Sequence, residues 1–585
     1  MSDGRLPRKR PHWVVTTLLL LGLLLAVAVG WVVVRGIGAT NDLRQVAAEG
    51  AALKTAITDA ELTRAGNIAT RIADHADSAR ALTSDPVWHG FEILPWLGAN
   101  FTAVREVAEV ADDVASDALK PVVDVAADID LSSVGLIDGA IDLAPFADIE
   151  PPLRAATASL SNAAARADRI DADATIEPLA EAIHELREAV TEASTVVGAL
   201  HGASALLPTM LGGDAPRTYV VAMQNNAELR SSGGIVGALA LIRADQGAIT
   251  LVRNASTLGF PVRESSLDLS APVRALFDEQ PGRFIQNTTS VPDFTEAAPL
   301  IAEMWQSSFG ETVDGVLAVD TVVAAHLLEA TGPVTAGALS LDSENVVDVL
   351  LSEVYLTIPD QATQDAVFAN ASAALFGAAL TAPPRELIGA LAESADENRI
   401  RIWSAHPEEQ ELLGASSLGG ALPQDSPDAA TVGVLINDIT GGKMDYYADA
   451  DFTLAVGECR GEPITRVTVT WSNGAPADAA TLPPLVTGNG WYGVPAGETR
   501  TLIAVYGPSG SELAADSRDG SEEPVQSTTL DGRPVVQHTV QLAPGADSTI
   551  TVDFRGSGAG HALTELRHTP LIETFEITPE KLVCE

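Results

Sequence analysis

Residues 218–256 read TYVVAMQNNAELRSSGGIVGALALIRADQGAITLVRNAS, and this stretch decides the fold of the middle of the chain. It contains three strand-like apolar runs, 218–223, 237–243 and 248–253, separated by short polar or glycine-containing segments. Apolar runs bounded by turn residues are typical of strands that are buried in a covered sheet. The stretch therefore predicts that a mixed sheet begins near residue 216.

Helix-like and strand-like patterns alternate after this stretch. Phe294–Ser307 repeats apolar residues at helical spacing, and Val313–Val319 is strand-like. Further helices are expected at 322–328, 343–355, 360–380 and 383–397. Such alternation predicts a mixed α/β domain over residues 216–425, with helices covering the sheet.

The N-terminal region contains an unbroken apolar run, Trp13–Val34. A run of this length crosses a hydrocarbon core of about 30 Å. Arg5, Arg8, Lys9 and Arg10 precede it, so the positive-inside bias predicts a cytoplasmic tail at 1–12, a transmembrane helix at 13–34 and an extracytoplasmic remainder. The alternative is a cleaved signal peptide, because Ala26-Val27-Ala28 is a small-x-small site.

An alanine-rich region over residues 40–206 has apolar residues at helical spacing, which predicts an exterior helical stalk or bundle. The insert at 85–98 combines two prolines, two glycines and large aromatic rings, so it should end one helix and begin the next. We interpret its rings as an apolar plug at the end of the bundle, with a protein-docking site as the alternative. Pro151-Pro152 predicts a second break.

The C-terminal region, residues 430–585, contains short β-like runs separated by turn residues, which predicts a β-sandwich of immunoglobulin-like type. It also contains both cysteines of the chain, Cys459 and Cys584. In an extracytoplasmic protein an even pair of cysteines is expected to form a disulfide. The whole protein is then a multidomain α+β chain.

The formal net charge of −44 argues against nucleic acid or an anionic lipid surface as the main partner, because both require clustered Lys and Arg. The acids are dispersed among alanines, so solubility is the simplest explanation of the charge.

A phosphate-binding site is the main functional hypothesis. Arg230 and Arg253 lie at the edges of two predicted strands, and a Ser/Gly turn follows the first. Arginine forks and backbone N–H groups bind oxyanions. The candidate anion-binding residues are Asn225, Asn226, Arg230, Ser231, Ser232, Gly233, Gly234, Arg253, Asn254 and Asp293. The alternative is that these polar residues satisfy backbone groups around a strand turn, and that Asp293 caps the next helix.

Three stretches resemble the bacterial domain of unknown function 4012 family, which has no assigned activity. They are Gln224–Gly237, Asn287–Asp320 with Gly332-Pro333, and Asn437–Tyr447. A more distant similarity is to LytR-CpsA-Psr glycopolymer transferases. It rests on Arg230-Ser231-Ser232, Val252-Arg253-Asn254 and the segment from Val316 to Gly332-Pro333-Val334.

The second resemblance implies that Arg230 and Arg253 bind a diphosphate. Ser232 and Asn254 stand where those enzymes have magnesium-linked aspartates, so no cofactor is expected unless the chain is a Mg²⁺-dependent phosphotransferase. We therefore expect a membrane-anchored cell-envelope protein that binds a lipid-linked phosphate or cell-wall glycopolymer. The alternatives are a phosphotransferase that attaches glycopolymers from polyprenyl-diphosphate carriers, and a structural or adhesive envelope protein.

Overall fold

The computed structural model describes residues 12–58, 61–128, 136–137, 139–414, 416–422, 425, 429–556, 563–573, 575, 577–582 and 584. Most of the predicted cytoplasmic tail lies outside this part. The chain forms two compact units, Met1–Val134 with Leu143–Pro208, and Gly135–Asp142 with Thr209–Glu585. The first unit is helical and the second combines three larger sheets with helices, so the mixed α+β organisation predicted from the sequence is confirmed.

The first unit is built from helices that pack through alanine-rich faces. Ala56, Ala69 and Ala76 are fully buried beside Leu53 and Ile72, and small side chains let neighbouring helix axes approach closely. The helices are α1 (His12–Thr58), α2 (Leu62–Thr83), α3 (Pro86–Glu92), α4 (Gly98–Asp113), α5 (Lys120–Asp128), α6 (Ala144–Ala167) and α7 (Glu177–Met210).

The apolar N-terminal half of α1 is long and apolar enough to cross a membrane. The helix then continues for 47 residues in all, without a break between the apolar half and the bundle. Leu19 is 70% exposed and Leu24 is 65% exposed, so this face of α1 is not covered by the described protein.

The two predicted helix breaks have different outcomes. The insert at 85–98 does separate α2 from α4. Pro151 and Pro152 instead lie inside α6, so the break predicted there is wrong. Leu153 and Leu160 are buried on the same helix, and the packing of these side chains outweighs the cost of about 3 kcal/mol that an interior proline brings.

The second unit contains a seven-stranded mixed sheet, as the opening stretch predicts. The strands of this region are β1 (Leu136–Ile137), β2 (Ala140–Ile141), β3 (Arg217–Arg230), β4 (Gly233–Asp245), β5 (Ala248–Ser256), β6 (Gly315–Val319), β7 (Val334–Ala336), β8 (Leu339–Leu341) and β9 (Ile400–Ser404). The order in the large sheet is β1-β2-β5-β4-β3-β6-β9, and β7 and β8 form a separate hairpin. The ladder β5-β4-β3 is antiparallel, and β6 joins β3 in parallel.

Helices cover this sheet through a core around Trp305, which is fully buried with Phe294 and Ile301 against Val220 and Leu239. The helices of the region are α8 (Ala271–Phe277), α9 (Gln280–Arg283), α10 (Phe294–Phe309), α11 (Thr321–Thr331), α12 (Val346–Asp348), α13 (Val354–Thr357), α14 (Gln361–Thr381), α15 (Pro384–Asp396) and α16 (Pro407–Gly414). A π-helical turn at Val349–Glu353 joins α12 to α13.

The C-terminal region consists of two five-stranded sheets that enclose one core, which includes Trp471 and Phe554. Its elements are β10 (Ala429–Asp438), β11 (Ala448–Cys459), β12 (Glu462–Asn473), α17 (Pro484–Thr487), β13 (Thr499–Tyr506), β14 (Ser511–Arg518), β15 (Gln526–Leu530), β16 (Arg533–Leu542), β17 (Asp547–Gly556), β18 (Leu563–His568) and β19 (Thr578–Lys581).

The sheet orders are β15-β16-β13-β10-β18 and β14-β17-β12-β11-β19. The immunoglobulin-like type of this sandwich stays a prediction. The predicted disulfide between Cys459 and Cys584 is present and ties the C-terminus to the end of β11.

Candidate functional site

The predicted anion-binding residues begin at an irregularity in β3. Asn225 pairs with Ile235 of β4, whereas Leu229, four residues later in β3, pairs with Gly234, which is adjacent to Ile235. Residues 226–228 therefore have no partner in β4, and a bulge of this kind bends a strand and redirects its side chains. Leu229 is consequently buried in the core of the C-terminal sandwich rather than in that of the mixed sheet.

The glycines of the Ser/Gly turn are required by close packing. Gly233 has a φ of +129°, and a Cβ atom there would lie 2.5 Å from the side-chain oxygen of Gln224. A Cβ atom on Gly234 would lie 2.3 Å from the carbonyl oxygen of Asn225. Only glycine fits such positions. The turn thus closes against its own strand, and its glycines need no ligand to explain them.

The two serines of the turn are buried and bonded. The N–H group of Ser231 donates to Asn437 Oδ1 at 3.0 Å, and that of Ser232 donates to the carbonyl of Thr289 at 3.1 Å. The hydroxyl of Ser232 also donates to Thr289 and accepts from the amide of Gln224. Both serines are 1% exposed, so their backbone donors face protein acceptors.

Arg230 is 7% exposed, and each of its three side-chain nitrogens is hydrogen-bonded to protein. Nε and Nη2 donate to Asn287 Oδ1 at 3.3 and 3.1 Å. Nη1 donates to the carbonyls of Leu229 and Asp438 at 2.8 and 3.2 Å. Nη2 also forms an ion pair with Glu228 Oε1 at 3.4 Å. The N–H donors of this guanidinium are therefore bonded to acceptors within the protein.

A cluster of buried acids surrounds Arg230. The carboxylate of Asp438 accepts hydrogen bonds from the N–H groups of Thr440 and Gly441, both at 2.9 Å. Asp445 Oδ2 accepts from the N–H group of Leu229 at 2.8 Å. These two acids come from the chain around β10, whereas Arg230 ends β3. We call the residues 224–232 and 437–445 together the polar junction, because they join the mixed sheet to the sandwich.

Lys443 supplies a second, half-buried cation to the polar junction. Its ammonium lies 3.3 Å from Glu228 Oε2 and 4.9 Å from the ring centre of Tyr355. The Tyr355 hydroxyl in turn accepts a hydrogen bond from the Asn225 amide at 2.9 Å. Cation–π contacts gain strength when the cation is desolvated, so this group reinforces the same packing.

The acids of the polar junction have strongly perturbed acidities. Burial, together with the negative charge of Glu228, raises the pKa of Asp438 to about 6, against the opposing effect of Arg230. Burial and the charge of Asp438 raise the pKa of Asp445 well above its usual range. Perturbed carboxyls of this kind occur at active sites, but also in structural networks of buried charge.

A second buried ion pair lies beside the junction. Arg399 and Asp320 have side chains that are 2% and 1% exposed, and Arg399 Nη1 lies 2.8 Å from Asp320 Oδ2. The same carboxylate oxygen accepts from the amide of Asn226 at 2.9 Å. Asp320 Oδ1 caps α11 by accepting from the N–H groups of Val322 and Val323. Asn226 thus has a structural partner on the helix that follows β6.

Arg253 lies in a different environment from Arg230. Its side chain is 39% exposed, forms an ion pair with Glu311 at 3.0 Å, and lies over the ring of Phe309 at 5.1 Å. Arg253 pairs with position 241 of β4, whereas Arg230 pairs with position 233. At about 3.3 Å per residue these two positions stand about 26 Å apart. The two arginines are therefore not brought together.

Asn254 and Asp293 complete the predicted set. Asn254 is exposed and pairs with Ala240 in the β4–β5 ladder. Asp293 caps α10, since Oδ1 accepts from the N–H group of Thr295 at 2.8 Å and Oδ2 accepts from that of Leu422 at 3.3 Å. Capping is the simpler of the two roles that the sequence suggests for Asp293.

Several charged residues of this region are not in the predicted set. They are Arg399, Arg401, Asp438, Lys443 and Asp445, and the uncharged phenol of Tyr355 lies among them. The available sequence signal was the alternation Arg399-Ile400-Arg401-Ile402, which places two arginines in an otherwise apolar strand. Arg401 is buried, and burial lowers its pKa to about 10. The partners of these residues lie far away in sequence, so spacing alone does not reveal them.

Comparison with protein families gives one result for this region. Residues 214–355 match the family model described as Protein of unknown function (DUF4012). This match contains the β3 bulge, the Ser/Gly turn, Asn287 and Asp320. A comparison with curated proteins finds no match to the chain. Similarity to LytR-CpsA-Psr enzymes is not shown. The resemblance predicted from the first set of motifs is confirmed by the DUF4012 match over residues 214–355.

Proposed function

We propose that the chain is a single-span membrane protein whose extracytoplasmic part is a non-catalytic structural protein of the cell envelope. The observation that carries this proposal is the bonding of Arg230, whose nitrogens all donate to protein acceptors. An arginine that binds a phosphate would present free donors to it. The polar junction instead uses this arginine to hold the DUF4012 domain against the sandwich.

The location in this proposal rests on the N-terminal sequence and on the disulfide. The apolar half of α1 is long enough to span a bilayer, and four basic residues precede it. The Cys459–Cys584 bond favours an oxidising compartment outside the cytoplasm. In this proposal the chain is anchored in the membrane by α1, and the bundle, the mixed sheet and the sandwich lie outside the cytoplasm.

Binding of a lipid-linked phosphate or cell-wall glycopolymer stays a prediction, as does the phosphotransferase activity. Both were predicted from Arg230 and Arg253, which have separate partners in the fold. A Mg²⁺ site would need hard oxygen ligands, and Ser232 is buried while Asp293 serves as a helix cap. The structural alternative requires no such site, and we therefore prefer it.

Titration calorimetry of the full chain in detergent tests this choice. The probes are inorganic diphosphate and a polyprenyl-diphosphate glycan, each with and without Mg²⁺. We expect no saturable heat and no glycan transfer. Saturable binding that is lost in Arg230→Lys, a variant that keeps the charge, would instead establish the anion-binding function. Binding that is lost only in Arg253→Ala would place an anion site at the exposed arginine.

A further inference from the structure

An exposed apolar tip follows the end of α2. Ile93 is 84% exposed, Trp96 is 95% exposed and Leu97 is 58% exposed. Two rings of the insert pack into the bundle: Trp88 is 1% exposed and donates through its indole N–H to the carbonyl of Phe101, and the half-buried Phe91 contacts the Phe101 ring at 5.6 Å between ring centres. Large apolar side chains exposed side by side mark an interaction surface. We call residues 86–97 the wedge.

The wedge is anchored to α1 at the boundary of the predicted membrane span. Asp85 directly precedes it and forms an ion pair with Arg35 at 2.8 Å. The indole N–H of Trp31 donates to the same carboxylate at 3.4 Å. Arg35 also donates to the carbonyls of Ala81 and Leu82 at the end of α2. A tryptophan and an arginine at the end of an apolar helix are typical of the membrane–water interface.

The apolar side chains of the wedge lie beside the span itself. An apolar groove of about 740 Å³ separates the two elements. The residues of α1 that line it include Leu25, Val29 and Val33, and those from the wedge are Phe91, Leu94 and Leu97. Leu25 precedes Arg35 by ten residues, which at about 1.5 Å per residue places it about 15 Å deeper along the helix. That depth is about half of a hydrocarbon core.

Two charged side chains at the wedge, Glu92 and Arg105, are paired. Glu92 lies 2.8 Å from Arg105 and 3.3 Å from His89. Arg105 also contacts Glu109 at 2.9 Å. A carboxylate that approaches lipid is tolerated when it has such a partner, so these charges do not oppose burial of the apolar tip.

We propose that the wedge inserts into the outer leaflet of the bilayer beside the single span, with Ile93, Trp96 and Leu97 in contact with lipid. The occupant of the apolar groove is then lipid, because one wall of the groove is the span. This inference rests on the membrane span in the proposed function. It gives the chain a second membrane contact, which fixes the orientation of the bundle at the bilayer surface.

Depth-dependent quenching on the full chain tests the proposal. The only two cysteines of the chain form the disulfide, so single cysteines can be introduced and labelled with nitrobenzoxadiazole. The test positions are Ile93→Cys and Trp96→Cys, both exposed and free to change without repacking. Leu24→Cys marks the span. Glu192→Cys is the exterior control, because its partner Lys54 lies 19 residues beyond Arg35 on α1.

The labelled proteins are reconstituted into vesicles of phosphatidylcholine and phosphatidylglycerol. We expect doxyl spin labels on the acyl chains to quench positions 24, 93 and 96 at least twofold, and aqueous iodide to quench only position 192. Iodide quenching at 93 and 96 equal to that at 192, with position 24 protected, would overturn the wedge and leave the span intact. Iodide quenching at position 24 would overturn the span, and the wedge with it.

Discussion

Replacing Arg230 with alanine separates a structural arginine from a ligand-binding one. In the structure, Arg230 forms an ion pair with Glu228, donates to the backbone carbonyl of Asp438, and its charge opposes the rise in the pKa of the buried Asp438 carboxyl. Removing one member of a buried, hydrogen-bonded charge cluster costs about 3–5 kcal/mol, because the partner charges stay buried without compensation. We therefore expect Arg230→Ala to destabilise the second unit by about that amount.

Arg253→Ala is the matched control, since the same functional hypothesis named both arginines. Its ion pair with Glu311 joins two side chains that are each 39% exposed, and exposed pairs contribute about 0–1 kcal/mol. The contact with Phe309 adds about 0.5–1 kcal/mol at an exposed site. The expected difference between the two variants is thus at least about 1 kcal/mol.

The assay is urea unfolding of the full chain in detergent, followed by tryptophan fluorescence. Trp305 in the mixed-sheet core and Trp471 in the sandwich core are both buried and report on the two parts. Because a chain with several cores need not unfold in one step, variants are compared by the midpoint of each transition. Arg230→Ala should lower both midpoints together. Small and equal shifts for the two arginine variants would refute the structural role of Arg230.

Three further predictions concern the same unit. Asp445→Ala should destabilise it by about 1–3 kcal/mol, because the Leu229 N–H group loses its acceptor in a buried site. Asp445→Asn should destabilise it by less than half as much. The midpoints of urea unfolding measure both changes, and equal losses of stability would contradict this prediction. The raised pKa of Asp438, about 6, means that the folded state binds a proton more tightly than the unfolded state. The stability of the protein relative to Asp438→Asn should therefore fall by about 2 kcal/mol between pH 4 and pH 7, and a flat or rising difference would refute it. Replacing Cys459 and Cys584 with serine removes a disulfide that joins residues 125 positions apart, so it should lower the free energy of unfolding by about 2–5 kcal/mol. The measurement is the thermal unfolding midpoint of the sandwich, which should fall both in this variant and in the chemically reduced parent protein. Unchanged midpoints would contradict the prediction.

The sequence predicts the fold well where local pattern and packing agree. The runs at 218–223, 237–243 and 248–253 lie within β3, β4 and β5. Their true ends differ because β3 continues through polar residues to Arg230, where partners from the sandwich replace apolar neighbours. Periodicity also identifies α10 and α11, whose first turns Asp293 and Asp320 cap.

Long-range contacts explain what the sequence does not reveal. Arg230 and Asp438 are 208 residues apart, and Arg399 and Asp320 are 79 residues apart. Spacing rules describe neighbours on one helix or strand, so they cannot show that these charges neutralise one another. The same polar residues then resemble a ligand site when they are considered in isolation. Pro151 and Pro152 are a similar case, because packing of α6 overrides the local signal.

The central claim is that the donors of the polar junction, those of Arg230 and of the turn amides, are bonded within the protein without a ligand. Hydrogen exchange of the backbone amides of Leu229, Ser231 and Gly441 tests it most directly, because these donors are bonded to Asp445, Asn437 and Asp438. We predict slow exchange of all three in the protein alone, no change on adding millimolar diphosphate with Mg²⁺, and faster exchange of all three in Arg230→Ala. Fast exchange in the protein alone that slows when diphosphate is added would contradict the account.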